Sequence, residues 1–246
     1  MNRQNSQNFS FKTSLKDGPK YPILHYIRIE RYFTRPLASM IVKLIYNTGI
    51  TPNQITVLSF ILGILGAISY SFGQYHFFIA GGILMQLSSI FDCADGMLAR
   101  SKNICTRYGA YLDLFLDRIV DFFFFLGVAA GYYLYSGDIV FLILGLVNTG
   151  LYSLQIILFY IVKIYKGDFN AGESAEARGL GIFFFSLLSI LNHLEIIIIS
   201  MTIVSLSNIS MRVIMYKRLG EKNLPLPGSE STSDNRKQAD TGKDQT

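Results

Sequence analysis

Five aspartates lie in or beside apolar stretches near the middle of the chain. They are Asp92, Asp95, Asp113, Asp117 and Asp121. An unpaired carboxylate at the centre of a bilayer costs about 2.5–3.5 kcal/mol on insertion scales. Five carboxylates in two adjacent apolar segments therefore require a shared compensation, such as bound cations or a water-filled cavity.

The spacing of these aspartates predicts that they converge. Asp92 and Asp95 are three residues apart and share one face of a helix, and Asp113 begins a stripe with four-residue spacing along the next helix. The connecting loop is short, so we expect the two acidic faces to meet at one membrane surface. Clustered carboxylate oxygens suit hard divalent cations, Mg²⁺ or Mn²⁺, rather than zinc. Cys93 is adjacent to Asp92 and points elsewhere, so we expect it to serve in core packing.

The elements that must position these residues are membrane helices. A spanning helix needs about 20 largely apolar residues, and six candidate spans are found at 55–73, 76–99, 110–134, 138–162, 179–192 and 194–216. The last two are joined at Asn192-His193 and form either a hairpin or one long helix. The preceding stretch Tyr21–Tyr46 mixes apolar residues with Arg and Lys, which indicates an interfacial helix with Pro36 at its start or at a kink.

The predicted fold is therefore an all-α integral membrane protein, with six transmembrane helices preceded by an N-terminal interfacial amphipathic helix. We expect a flexible N-terminus (1–20), the interfacial helix (21–48), a six-helix domain (49–219) and a disordered, polar C-terminal tail (220–246).

The positive charges indicate the orientation of these spans. None of the 22 Lys and Arg residues lies in 44–99, 119–162 or 179–211. They precede the first span, join the second to the third and the fourth to the fifth, and lie at or after the end of the sixth; Arg118 is the exception, inside the third. By the positive-inside rule, both termini and the acidic cluster face the cytoplasm of a multi-pass cell-membrane protein.

Composition excludes several other classes. Hydrophobic residues make up 50% of the chain and charged residues 16%, which is unusual for a soluble globular protein. The net charge of +5 can suggest nucleic-acid binding, but the basic residues flank apolar spans, so no nucleic-acid partner is predicted. Cys93 and Cys105 lack metal-ligand spacing, and we expect them to be free thiols.

The central motif carries a family resemblance. It reads Asp92-Cys-Ala-Asp95-Gly96-Met-Leu-Ala99-Arg100, then eight residues, then Gly109-Ala-Tyr-Leu-Asp113-Leu-Phe-Leu-Asp117. This resembles the CDP-alcohol phosphotransferase family, also called class I CDP-alcohol phosphatidyltransferases, whose motif is DxxDGxxAR, eight residues, GxxxDxxxD. Every specified position matches. Thr51-Pro52-Asn53 is similar to the TPN element that lies near the nucleotide in this family, although it is equally typical of a helix start.

The resemblance implies a metal-dependent transfer of a substituted phosphate group from a CDP-activated donor to an alcohol, with release of CMP. It implies two divalent ions, Mg²⁺ or Mn²⁺, held by Asp92, Asp95 and Asp113, with Asp117 as general base and a further metal contact. The nucleotide and its diphosphate would contact Thr51, Asn53, Gly96, Ala99, Arg100 and Gly109. Helix packing is the alternative role for the two glycines, and marking the membrane edge is the alternative for Arg100.

The residues that would bind the acceptor are less clearly indicated by the sequence. Asp121 lies outside the motif and is expected to pair with Arg118. In relatives with a phosphorylated acceptor, basic residues near the loop before the fifth span bind that phosphate. Arg178 and Arg107 are the candidates here; ordinary positive-inside charge is the alternative.

The resemblance favours a CDP-lipid donor such as CDP-diacylglycerol. The acceptor would be a polar headgroup such as inositol, inositol phosphate or glycerol phosphate, in phospholipid biosynthesis. The alternative is transfer from a soluble CDP-alcohol (CDP-choline, CDP-ethanolamine or CDP-inositol) to a lipid or polyol. A homodimer is compatible with either kind of donor. A cation transporter is a distant alternative, because the acids gather at one face rather than spread across the membrane.

Overall fold

The structure, a computed structural model, describes residues 30–166 and 172–221. Every regular element in these two ranges is helical, and no strand occurs in them. A π-helical turn, Glu30–Thr34, precedes seven α-helices. These are α1 (Arg35–Ile45), α2 (Pro52–Ser71), α3 (Tyr75–Ser101), α4 (Arg107–Ser136), α5 (Ile139–Lys166), α6 (Gly172–Ile190) and α7 (Leu194–Glu221).

Each predicted span coincides with a helix, from α2 to α7. Among the described residues, four segments are long and apolar enough to cross a membrane, namely Pro52–Ser71, Tyr75–Ser101, Ile139–Leu158 and Leu194–Ile214. A shorter apolar segment, Gly181–Ile190, lies in α6. The last two helices form separate elements rather than one long helix, since Asn192 interrupts them with a φ of 59°.

The predicted N-terminal helix is described only in part. Pro36 lies in the first turn of α1, directly after the π-helical turn Glu30–Thr34. Residues 21–29, the predicted flexible N-terminus and positions 222–246 of the predicted tail lie outside the described residues. On one side, α1 packs against α3, where Ala38 and Val42 belong to a buried cluster with Ala94 and Leu98.

The chain divides into two compact units, residues 1–149 with 171–200 and residues 150–170 with 201–246. The described part of the first unit contains α1 to α4, α6 and the beginnings of α5 and α7. The second contains the remainder of α5 and of α7. The whole acidic motif belongs to the first unit.

Within the first unit, α2 and α4 approach each other closely at the end remote from the aspartates. A Cβ added at Gly127 would clash with the backbone carbonyl of Ala67, and one at Gly131 with the carbonyl of Tyr70. The buried Tyr70 ring packs edge-on against Phe124 at a centroid distance of 5.5 Å. Because glycine lets helix backbones meet, α2 and α4 are held firmly together here.

Candidate active site

The turn between the two halves of the motif begins with a defined helix stop. After α3 ends, Asn103 adopts a φ of 55°, in the left-handed region that asparagine tolerates. The N–H of Ile104 donates to the carbonyl of Ala99 at 3.0 Å, and that of Asn103 to the carbonyl of Arg100 at 3.2 Å. This pair of bonds is a Schellman motif, and it satisfies carbonyls of Ala99 and Arg100 that the helix itself leaves open.

The same turn ends with an equally defined helix start. Thr106 caps α4, because its hydroxyl oxygen accepts a hydrogen bond from the N–H of Gly109 at 2.9 Å. A Cβ at Gly109 would lie 3.1 Å from Oδ1 of Asn53. The start of α2 therefore lies directly beside the second half of the motif.

The Thr51-Pro52-Asn53 element is a helix start. Thr51 and Gln54 form a reciprocal capping box, in which the N–H of Thr51 donates to Oε1 of Gln54 at 2.9 Å. The structural alternative for this tripeptide is thus correct. The helix start does not exclude a second role at the site, because Asn53 lies close to Gly109.

Three of the predicted ligands come together. One carboxylate oxygen from each of Asp92, Asp95 and Asp113 lies within 4.8 Å of the others. Asp95 is 5% exposed, and the other two are half-buried. The acidic faces of α3 and α4 therefore meet, as the spacing predicts.

The remaining two aspartates lie further along α4. Asp117 is half-buried one helical turn after Asp113 and is not part of the group of three. Asp121 forms an ion pair with Arg118, with 3.1 Å between Nη1 and Oδ2. This pair, which the sequence led us to expect, gives the last aspartate of the stripe a partner outside the group of three.

The three converging residues fit a hard divalent cation. Their ligand atoms are all carboxylate oxygens, and neither histidine nor cysteine belongs to the group. Like charges this close repel each other unless a cation or proton compensates them. An all-oxygen donor set favours Mg²⁺ or Mn²⁺ over zinc or copper.

Sequence inspection missed Thr56, which touches the cluster directly. Its hydroxyl donates a hydrogen bond to Oδ2 of Asp95 at 2.5 Å. The signal was present, since Asn53, Thr56 and Ser59 follow at three-residue spacing along a mostly apolar helix. Such a polar stripe indicates a face directed at polar partners.

A second contact that was missed joins the motif to the linker before α2. The ammonium group of Lys102 donates to the carbonyls of Thr48 and Ile50 at 3.3 and 3.4 Å. It also lies 5.8 Å from the centroid of the Tyr46 ring, within the range of a cation–π interaction. Lys102 thereby fixes the segment leading into α2, and no spacing rule in the sequence points to it.

The other predicted residues occupy varied positions. Gly96 lies beside the Arg100 side chain, since a Cβ at Gly96 would be 3.1 Å from Nη1 of Arg100. Ala99 is half-buried, and Arg107, the first residue of α4, is exposed. Arg178 belongs to α6, but its side chain lies outside the described part of the structure.

The comparison with protein families identifies the class. Residues 49–215 match the family model of CDP-alcohol phosphatidyltransferases. This match covers most of the chain and includes the complete motif. The chain belongs to this family, and the resemblance seen in its sequence is confirmed.

Individual relatives cover different portions of the chain. The archaetidylinositol phosphate synthase of Pyrococcus horikoshii is 28% identical over 182 residues, which are 72% of this chain and 88% of that protein. A bifunctional IPC transferase and DIPP synthase of Aquifex aeolicus is 46% identical over 79 residues, 32% of this chain. The chain spans only 18% of the Aquifex protein's length.

Among solved structures, the chain is similar to the phosphatidylinositol phosphate synthase of Mycobacterium tuberculosis with CDP-DAG bound. The identity is 20% and the TM-score is 0.49, with 74% of this chain and 94% of that chain covered.

Proposed function

We propose that this chain is an integral membrane enzyme that transfers a lipid-bearing phosphate group from a CDP-lipid to the hydroxyl of a polar alcohol and releases CMP. The observation that carries the proposal is the convergence of Asp92, Asp95 and Asp113 within the motif of the matched family. The name of the Pyrococcus relative supports inositol phosphate as the acceptor.

The proposed membrane arrangement has six spans, α2 to α7, with the site at the cytoplasmic face. The distribution of Lys and Arg supports it. The proposed interfacial helix, α1, supports it as well. Met40 and Leu44 are exposed on α1, at 65% and 81%, and Tyr32 in the preceding π-helical turn is 80% exposed. Together they provide an apolar surface for the lipid interface.

In this proposal, Asp92, Asp95 and Asp113 hold two divalent ions, Mg²⁺ or Mn²⁺. When bound, such ions neutralise the diphosphate and make CMP a better leaving group. The carboxylates supply hard ligands from two helices whose connecting turn is fixed at both ends. Their mutual repulsion in the absence of a cation favours binding.

Asp117 takes the role of general base. It accepts the proton of the acceptor hydroxyl while the acceptor oxygen forms a bond to the phosphorus that carries the lipid. The bond from that phosphorus to the bridging oxygen of CMP breaks, and CMP leaves with the electron pair. The position of Asp117, one helical turn after Asp113, supports this role because both side chains project from the same face of α4.

The nucleotide and diphosphate would lie along the remaining motif positions. The adjacency of Asn53 and Gly109 supports this, because it brings the start of α2 to the glycine that opens the second half of the motif. The residues proposed for this role are Thr51, Asn53, Gly96, Ala99, Arg100 and Gly109. Arg107 and Arg178 are proposed for the acceptor phosphate.

The test is CMP release by the purified protein in detergent. CDP-diacylglycerol is offered with inositol phosphate, inositol, glycerol phosphate or serine, each with Mg²⁺, Mn²⁺ or EDTA. We expect metal-dependent CMP release with inositol phosphate.

A second arm offers CDP-choline, CDP-ethanolamine and CDP-inositol with diacylglycerol. Release only in this arm would replace the CDP-lipid donor by a soluble CDP-alcohol. Folded protein that neither releases CMP in either arm nor binds a labelled CDP compound would contradict the proposed activity.

A further inference from the structure

We propose that Thr56 is a positioning residue of the metal site, whose hydroxyl holds the Asp95 carboxylate in the orientation that binds a divalent ion. This inference rests on the metal site proposed above. It assigns a function to a residue of α2 that lies outside the aspartate motif.

The contact between Thr56 and Asp95 is buried and joins two helices. Thr56 is 4% exposed and Asp95 5%, and the hydroxyl lies 2.5 Å from Oδ2 of the carboxylate. The same hydroxyl is 3.1 Å from the carbonyl of Pro52. An ionised carboxylate can only accept hydrogen bonds, so the single hydroxyl proton is directed to Asp95.

This bond adds a restraint on the Asp95 side chain that comes from a different helix. The terminal torsion of aspartate is broad and roughly two-fold, so a carboxylate without a fixed partner can present either oxygen. Thr56 holds Oδ2 of Asp95 from α2, and the carboxylate lone pairs that this bond does not use can bind a cation. Threonine suits the task because its branched Cβ stiffens χ1.

The size of the expected change in metal affinity follows from how metal sites respond when a hydrogen-bond partner of a ligand is lost. Groups that orient a metal ligand typically account for a 10- to 100-fold difference in metal affinity. The affected quantity is metal affinity, so turnover at saturating metal should be retained. A purely structural hydroxyl would instead change stability and leave metal affinity unaltered.

The chain provides a matched control for the structural effect. Ser88 on α3 donates to the carbonyl of Ser59 on α2 at 2.8 Å. This is also a buried hydroxyl bond between α2 and α3, but it does not involve a carboxylate. Ser88→Ala therefore removes a comparable tether between the same helices.

The experiment measures Mn²⁺ binding to the full chain in detergent, by the electron paramagnetic resonance signal of free Mn²⁺. The Mn²⁺ concentration for half-maximal CMP release and the melting temperature in EDTA are measured in parallel. We expect Thr56→Val to weaken Mn²⁺ binding about 10- to 100-fold while keeping kcat at saturating Mn²⁺. Thr56→Ser, which retains the hydroxyl, and Ser88→Ala should both bind Mn²⁺ as the wild type does.

Two outcomes would overturn the inference. One is wild-type Mn²⁺ affinity in Thr56→Val; the other is an equal loss of affinity in Ser88→Ala. If Thr56→Val fails to fold, the pair Thr56→Ser and Thr56→Ala differs only by the hydroxyl, and equal Mn²⁺ affinity in the two would have the same meaning. A wild-type protein that binds no Mn²⁺ would overturn the metal site itself.

Discussion

At one end of α2, α3 and α4 the chain gathers carboxylates, whereas at the other it gathers glycines and aromatic rings. The acidic end contains Asp92, Asp95 and Asp113 with their oxygens within 4.8 Å of one another. The glycine end contains Gly127 and Gly131 against the backbone of α2. The same three helices thus have two very different ends.

The two ends therefore have different roles: the glycine end stabilises the packing of the helices, and the acidic end carries the proposed reactive groups. Like charges at the acidic end oppose folding until a cation compensates them, so the aspartates do not themselves hold the helices together. The glycine end provides close contact instead, with the Tyr70 ring packed against Phe124 and stacked on Phe78 at 6.3 Å. Substitutions at the two ends should therefore affect different measurements.

The largest expected effect is at the acidic end. Asp117→Asn removes the proposed general base but keeps nearly the same volume, so kcat for CMP release should fall by about 10²- to 10⁴-fold. The melting temperature and the affinity for a labelled CDP-lipid should remain close to those of the wild type. Normal turnover in this variant would remove Asp117 from the mechanism.

The next effect belongs to the glycine end. In Gly131→Val the new side chain meets the carbonyl of Tyr70, which is backbone and cannot move aside easily, so we expect a loss of stability of at least about 1–3 kcal/mol. Thermal unfolding in detergent measures it. The remaining folded protein should retain its affinity for Mn²⁺.

Gly150→Val is the control for helix propensity, because a Cβ at Gly150 has nothing within 4 Å. Both variants replace a helical glycine by valine, so their difference isolates the close approach. Equal melting temperatures for the two would mean that α2 and α4 do not depend on this contact.

The sequence predicted the acidic end better than the glycine end, for a physical reason. Helical periodicity determines which residues share a face, and this was sufficient to predict that Asp92, Asp95 and Asp113 converge. A short loop and the membrane plane limit where the two faces can meet. The helix start at Thr51 was likewise predictable, because capping depends on local residues.

Contacts between helices that are distant in sequence could not be predicted from the sequence. The bond from Thr56 to Asp95 joins residues 39 positions apart, and it depends on how far α2 is rotated about its axis. Periodicity leaves that rotation open. The same applies to Gly131, whose small size indicates a close approach without naming Tyr70 as the partner.

A smaller effect tests whether a residue at the acidic end also serves structure. Thr51→Ala removes the N-cap of α2 and should cost about 0.5–2 kcal/mol of stability, whereas Thr51→Asp retains a capping oxygen. Melting temperature and the KM for the CDP-lipid are measured for both. A KM that rises only with loss of the cap makes Thr51 structural; a KM that rises in both variants favours direct contact with the nucleotide.

The smallest effect concerns the polar contact at the glycine end. Tyr70→Phe removes the buried hydroxyl bond to Ser189, which spans 2.6 Å, and keeps the ring. Because the Ser189 hydroxyl also donates to the carbonyl of Phe185 at 2.7 Å, it retains a partner, and the cost should be about 0.5–1.5 kcal/mol.

Thermal unfolding checks this cost, with Tyr75→Phe as the control, since the exposed hydroxyl of Tyr75 donates only to the carbonyl of Ile190. If the two ends are independent, Tyr70→Phe lowers the melting temperature and leaves both kcat and the affinity for Mn²⁺ unchanged. A fall in Mn²⁺ affinity at unchanged stability would mean that α2 transmits a change from Tyr70 to Thr56. The division between a stabilising end and a chemical end would then be wrong.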